Sequence, residues 1–216
     1  MRRIDTSLYY ITDSTGWPEA EFLRRVEAAL SGGVTLLQLR EKEKTTREYI
    51  DLAEKVHAIA KDYGVPLIID DRVDVALAVE AEGVHVGRSD IPVSVARRLM
   101  GPDRIVGATT KTVPQALEAH GQGADYLGVG AIFPTTTKVK TVLTSVDTLR
   151  EICRAVPIPV NAIGGLNRDN IHVLTGVPVA GICVVSAIMK AADPKQAALE
   201  LRARAEALGL GRREEQ

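Results

Sequence analysis

Thr35-Leu36-Leu37-Gln38-Leu39-Arg40-Glu41-Lys42, a helical run over residues 46–63, and then Pro66-Leu67-Ile68-Ile69-Asp70-Asp71-Arg72 form one strand–helix–strand unit. Each short apolar run is bounded by turn-forming or charged residues, the pattern of a buried strand. The segment between them carries Tyr49, Leu52, Val56, Ile59 and Tyr63 at helical spacing and stops at Gly64. Two strands joined by a crossover of that length run parallel. Both strands therefore deliver their charges to the same edge of one sheet.

The same unit repeats outward in both directions. Further strands are expected at residues 8–12, 83–86, 104–108, 126–130, 159–163 and 181–185. Further helices are expected at residues 18–30, 73–81, 93–100, 113–120, 146–156, 168–175 and 194–208. Eight strictly alternating units favour a closed (β/α)8 TIM barrel, with an open doubly wound sheet as the alternative. No linker divides the chain, so residues 1–216 read as a single barrel domain with residues 211–216 as a frayed tail. In such a barrel the C-terminal edge of the strands carries the chemistry.

Composition narrows the function classes. A formal net charge of −1 argues against a general nucleic-acid binder. No apolar run approaches the ~20 residues that span a bilayer, and Met1-Arg2-Arg3-Ile4-Asp5 lacks the core of a signal peptide. Cys153 and Cys183 have no metal-ligand spacing and read as reduced packing residues. The expectation is a cytoplasmic protein with neither nucleic-acid nor membrane partners.

Side chains alternate along a strand, so Gln38, Arg40 and Lys42 share one face while Leu39 and Glu41 point the other way. Two cations at ~4 Å repel by roughly 4 kcal/mol near a protein surface unless an anion or carboxylates offset them. Arginine offers a planar fork suited to phosphate, and lysine a mobile point charge. Asp71 and Asp90 follow the third and fourth strands and should be neighbours on the rim. Hard carboxylate oxygens so placed suit Mg2+. A turn or capping role is the alternative for Asp90, which precedes Ile91-Pro92. Pro134-Thr135-Thr136-Thr137-Lys138 adds hydroxyls and a cation, and Thr109 a further hydroxyl. Ile163-Gly164-Gly165-Leu166 and Val185-Ser186-Ala187 follow the seventh and eighth strands, where barrels frequently bind phosphate. Two anion sites around one mouth suggest a reaction that joins two phosphorylated compounds.

With these residues in view, the chain resembles the thiamine phosphate synthase family over nearly its whole length. The resemblance runs through Gln38 to Lys42, Asp71-Arg72-Val73-Asp74, Gly83-Val84-His85-Val86-Gly87 with Asp90, Thr135 to Lys138, Ala162-Ile163-Gly164-Gly165, and Val184-Val185-Ser186-Ala187-Ile188. It implies condensation of an aminopyrimidine methyl diphosphate with a (carboxy)thiazole phosphate, releasing pyrophosphate, and CO2 when the thiazole is carboxylated. It further implies that Gln38, Leu39, Arg40, Glu41, Lys42, Asp70, Thr109 and Lys138 hold the pyrimidine diphosphate. Of these, Arg40, Lys42 and Lys138 would act in catalysis. Thr135, Thr136, Thr137, Gly165, Val185 and Ser186 would hold the thiazole phosphate, and Asp71 and Asp90 would hold Mg2+. The partners are then small phosphorylated molecules, with a homodimer as the oligomeric expectation.

The sequence departs from the family pattern at five places. Asp70 stands for a usual Asn, Thr109 for Ser, Ala131 for a frequent Pro and Arg88 for Gln, and residues 139–144 are unlike the usual loop. The related thiazole tautomerases typically lack the two aspartates and carry His where Ala131 stands. A precursor-binding barrel without activity and another sugar-phosphate barrel enzyme complete the alternatives.

Overall fold

A computed structural model describes residues 4–135 and 142–210. Eight parallel strands close into a barrel in chain order. They are β1 (Leu8–Ile11), β2 (Leu36–Leu39), β3 (Leu67–Asp70), β4 (Gly83–Val86), β5 (Ile105–Thr110), β6 (Tyr126–Gly130), β7 (Val160–Ile163) and β8 (Gly181–Val184). Closure comes from β1 against β8, with Leu8 beside Ile182 and Tyr10 beside Val184. The alternation read from the sequence therefore resolves as the closed barrel and not the open sheet.

Helices α1 (Glu19–Ser31), α2 (Thr46–Asp62), α3 (Val73–Ala78), α4 (Val93–Met100), α5 (Val113–Gly121), α6 (Val146–Ala155), α7 (Ser186–Met189) and α8 (Pro194–Ala207) surround it. Helix α2 begins with a capping box: Thr45 accepts from the Glu48 N–H while the Glu48 carboxylate accepts from the Thr45 N–H. Its stripe buries Tyr49, Leu52 and Val56, whereas Tyr63 lies past its end and is exposed. Helix α1 buries Phe22, Val26 and Leu30, the spacing expected from sequence.

Two expectations differ from the structure. The seventh crossover is a single 3-10 turn, Ile171–Leu174, in place of a helix over 168–175. Asn167 and Asn170 use their side chains to close a turn: the Asn170 Oδ1 accepts from Asn167 N–H, and the Asn167 Oδ1 from Asp169 N–H. That local bonding competes with helix formation, and Gly176 and Pro178 follow directly. The one-turn α7 after β8 has too few residues to show helical periodicity.

Strand alternation divides the apolar residues into two clusters. The larger lies between the strands and the helices. A small one fills the barrel interior with Tyr9, Ile11, Leu36, Ile68, Ile105, Tyr126 and Cys183. Room for the Tyr126 ring comes from Gly107, where a Cβ would sit 2.1 Å from Tyr126 Cζ. Both cysteines are free. Among the described residues no helix is long and apolar enough to cross a membrane.

Candidate active site

The C-terminal ends of β2, β3 and β4 bring five charged residues together. Lys42 Nζ lies 2.7 Å from Asp70 Oδ2 and also pairs with the Asp71 carboxylate. Arg40 Nε is 3.8 Å from the same Asp70 oxygen. The buried Asp70 Oδ2 thus faces two cations, with the Lys42 ammonium its close partner. Burial pushes the Asp70 carboxyl above its ordinary range, and the pull of Lys42 and Arg40 only partly offsets this. Burial also disfavours the Lys42 charge, but Asp70 and Asp71 outweigh it and raise that group.

Asp71 occupies the left-handed region at φ 60°, and its N–H donates to the His85 carbonyl across β3 and β4. Short polar side chains tolerate that conformation better than others. Asp90 closes the turn after β4, its Oδ2 accepting from the Gly87 N–H at 2.7 Å. The turn role and a place on the rim therefore coexist. The Asp90 carboxyl is pushed up first by burial and then by the neighbouring Asp71. Among the described residues, no group of three or more His, Cys, Asp and Glu side chains is arranged to hold a metal. Asp71 and Asp90 are nevertheless neighbouring carboxylates, hard oxygen donors of the kind that suits Mg2+.

The other expected residues fall at distinct depths. Gln38 is buried inside the barrel and donates from Nε2 to the Tyr9 hydroxyl at 2.6 Å. Leu39 points outward into the helix-facing core, its carbonyl accepting from the Tyr49 hydroxyl. Glu41 turns toward the loop after β1, where Ser14 donates to it at 2.8 Å. Burial raises its carboxyl despite that bond. Thr109 is half-buried and bonds His85 Nε2 at 2.8 Å.

Across the barrel, the segment after β6 runs beside that after β7. Ile132 N–H donates to Ile163 O and Phe133 N–H to Gly164 O, both at 3.0 Å. Gly165 has φ 65°, and a Cβ there would meet Phe133 Cβ and Pro134 O at 2.7 Å. Asn170 Nδ2 donates to the Gly165 carbonyl and fixes the turn. Val185 precedes α7, and Ser186 opens that helix exposed to solvent. Thr135 is half-buried at the end of the first described stretch. Thr136, Thr137 and Lys138, together with the tail at 211–216, lie outside the described residues.

Several residues were missed from sequence. Lys111 Nζ donates to the carbonyls of Gly130 and Val142, both at 2.8 Å, and Thr144 N–H donates to Ala131 O. The two ends of the threonine-rich segment are thus tied at its base. Tyr9, His85 and Tyr126 form a polar chain inside the barrel. Their signal was available: each occupies the inward phase of its strand, where a polar group needs a partner.

A closed parallel barrel with its ionic groups gathered at the C-terminal mouth is an enzyme scaffold. Residues 8–188 match the family model described as thiamine monophosphate synthase. The chain is 52% identical over 193 residues to "Thiamine-phosphate synthase 2" of Streptococcus pneumoniae, covering 89% of this chain and 92% of that one. It is 53% identical over 184 residues to the "Thiamine-phosphate synthase" of Enterococcus faecalis, covering 85% and 87%. Among solved structures, thiamine phosphate pyrophosphorylase from Pyrococcus furiosus superimposes with a TM-score of 0.86 at 41% identity, covering 95% of this chain and 98% of that one. The chain belongs to the thiamine monophosphate synthase family and is a transferase.

Proposed function

We propose that this barrel joins 4-amino-2-methyl-5-(diphosphooxymethyl)pyrimidine to a thiazole phosphate, giving thiamine phosphate and pyrophosphate. When the thiazole carries a carboxylate, CO2 also leaves. The observation that carries this reading is the cluster of Arg40, Lys42, Asp70, Asp71 and Asp90 on adjacent strand ends. Two cations balanced by carboxylates form a site whose charges a diphosphate can take over.

In this reading Gln38, Arg40 and Lys42 receive the pyrimidine diphosphate, with Lys138 on the same group, and Leu39 and Glu41 contribute backbone. Asp71 and Asp90 would hold Mg2+, which when bound neutralises charge on the pyrophosphate. Cleavage of the CH2–O bond leaves that charge on the leaving group, where Arg40, Lys42 and Lys138 stabilise it. The pyrimidine amino group supports positive charge at the methylene carbon, and the thiazole nitrogen then supplies the electron pair for the new C–N bond. Thr135, Thr136, Thr137, Gly165, Val185 and Ser186 hold the thiazole phosphate in line. No protein nucleophile takes part. Free cysteines accord with a cytoplasmic place of action.

The test is pyrophosphate release from the two substrates with Mg2+ and with EDTA. Mg2+-dependent release that needs both substrates, with thiamine phosphate appearing in step, supports the reading. Folded protein that never releases pyrophosphate moves it to the tautomerase or the precursor-binding barrel. Lys138→Ala is expected to lower turnover by at least about tenfold with the fold intact.

A further inference from the structure

A continuous chain of hydrogen bonds crosses the barrel interior beneath the mouth. Gln38 Nε2 on β2 donates to Tyr9 Oη on β1 at 2.6 Å, and Tyr9 Oη lies 2.7 Å from Tyr126 Oη on β6. Tyr126 Oη is 3.0 Å from His85 Nδ1 on β4, and His85 Nε2 is 2.8 Å from Thr109 Oγ1 on β5. Gln38, Tyr9, Tyr126 and His85 are buried. Thr109 is half-buried near the C-terminal end of β5. None of the three middle residues has a role in the reaction proposed above.

The chain has a direction. Burial above all holds the Tyr9 and Tyr126 phenols protonated, so each has one proton to donate. Among the described residues, the Tyr9 hydroxyl bonds only Gln38 and Tyr126. Gln38 donates to it, so the Tyr9 proton goes to the Tyr126 oxygen and the Tyr126 proton to His85 Nδ1. His85 therefore carries its proton on Nε2 and donates to Thr109 Oγ1. The opposite direction leaves the Tyr9 proton buried with no acceptor, the costlier arrangement. The Thr109 oxygen is thus engaged from below by His85, which leaves its own proton to be offered upward at the mouth.

We propose that Tyr9, Tyr126 and His85 are positioning residues that fix Thr109 as a hydrogen-bond donor, so that the mouth selects a heteroaromatic ring presenting a nitrogen lone pair there. This rests on the pyrimidine reading. A ring with C–H or N–H at that point leaves the Thr109 proton unpaired and is disfavoured.

The test begins with 15N NMR of histidine-labelled, ligand-free protein, assigned with His85→Asn. An unprotonated Nδ1 and a protonated Nε2 at His85 support the inference; the reverse assignment overturns it. Tyr126→Phe should mix the two His85 tautomers and lower kcat/KM for the aminopyrimidine diphosphate by about tenfold. The KM for thiazole phosphate should stay unchanged. Wild-type enzyme should also favour the pyrimidine over its analogue with C–H at that ring nitrogen, and Tyr126→Phe should favour it less. Equal discrimination by the two proteins overturns the inference. If pyrophosphate is never released but the tautomer is as stated, the pyrimidine reading has failed and the polarity has not. Release with the reversed tautomer sinks the inference alone.

Discussion

Asp71 holds a left-handed backbone at φ 60° while its carboxylate pairs with Lys42. An alanine in that conformation costs about 1–2 kcal/mol more than glycine, and asparagine less than alanine. Asp71→Ala therefore confounds two effects. All three of Asp71→Ala, Asp71→Asn and Asp71→Gly should lose at least about tenfold in turnover. The alanine variant should melt lowest of the three, about 2–8 °C below the glycine variant for a chain of this size. Equal melting of all three would show that the backbone conformation carries no cost. Asp70 tests electrostatics at the neighbouring position. Its carboxyl is raised in the fold, so the folded state binds the proton more readily than the unfolded chain. Ionised Asp70 therefore subtracts stability at neutral pH, and this is relieved as pH falls through its raised pKa toward 3.8. Asp70→Asn should raise Tm at pH 7, and the gain should shrink as the pH is lowered through that window. A constant gain across pH would mean that packing, not charge, is responsible.

At the scale of elements, the capping box on α2 offers a change remote from the mouth. Thr45→Ala removes the acceptor for the Glu48 N–H and should cost about 1 kcal/mol, with kcat preserved. Lys111 couples two elements: it starts just beyond β5 and grips the carbonyls of Gly130 and Val142. Lys111→Met should raise the KM for thiazole phosphate several-fold while leaving that for the pyrimidine diphosphate near its original value; a shift in both equally would refute a local role. Elements with clear periodicity were legible in the sequence. Phe22, Val26 and Leu30 gave α1, and Val93 to Met100 marked α4 to the residue. The seventh crossover misled because its apolar spacing suited a helix while Asn167 and Asn170 bonded the backbone instead. Helix α7 has four residues, too few for any period. Charges at strand ends announced the cluster of Arg40, Lys42 and Asp70. The inward phase of Tyr9, His85 and Tyr126 was legible residue by residue, but their pairing was not, because the partners are scattered over five strands.

For the whole molecule, the barrel interior is a small cluster enclosed by a much larger outer core. An interior of that size has little capacity to rearrange. Gly107→Ala, whose Cβ would fall 2.1 Å from Tyr126 Cζ, should therefore destabilise by about 1–3 kcal/mol or more through overpacking. It should also reduce activity, since the displaced ring belongs to the chain beneath the mouth. Near-native Tm and activity would show that the ring has somewhere else to go.

The ammonium between Asp70 and Asp71 has a last consequence, for supply rather than for catalysis. Carboxylates gathered for a divalent ion ordinarily repel one another when that ion is withdrawn, and the protein loosens. On the Mg2+ reading proposed above, Lys42 is a resident counterion for Asp70 and Asp71, and the mouth should keep its shape when the metal is scarce. A chelator should silence the enzyme while its melting temperature stays put, and returning the ion should restore turnover at once, with no refolding to wait for.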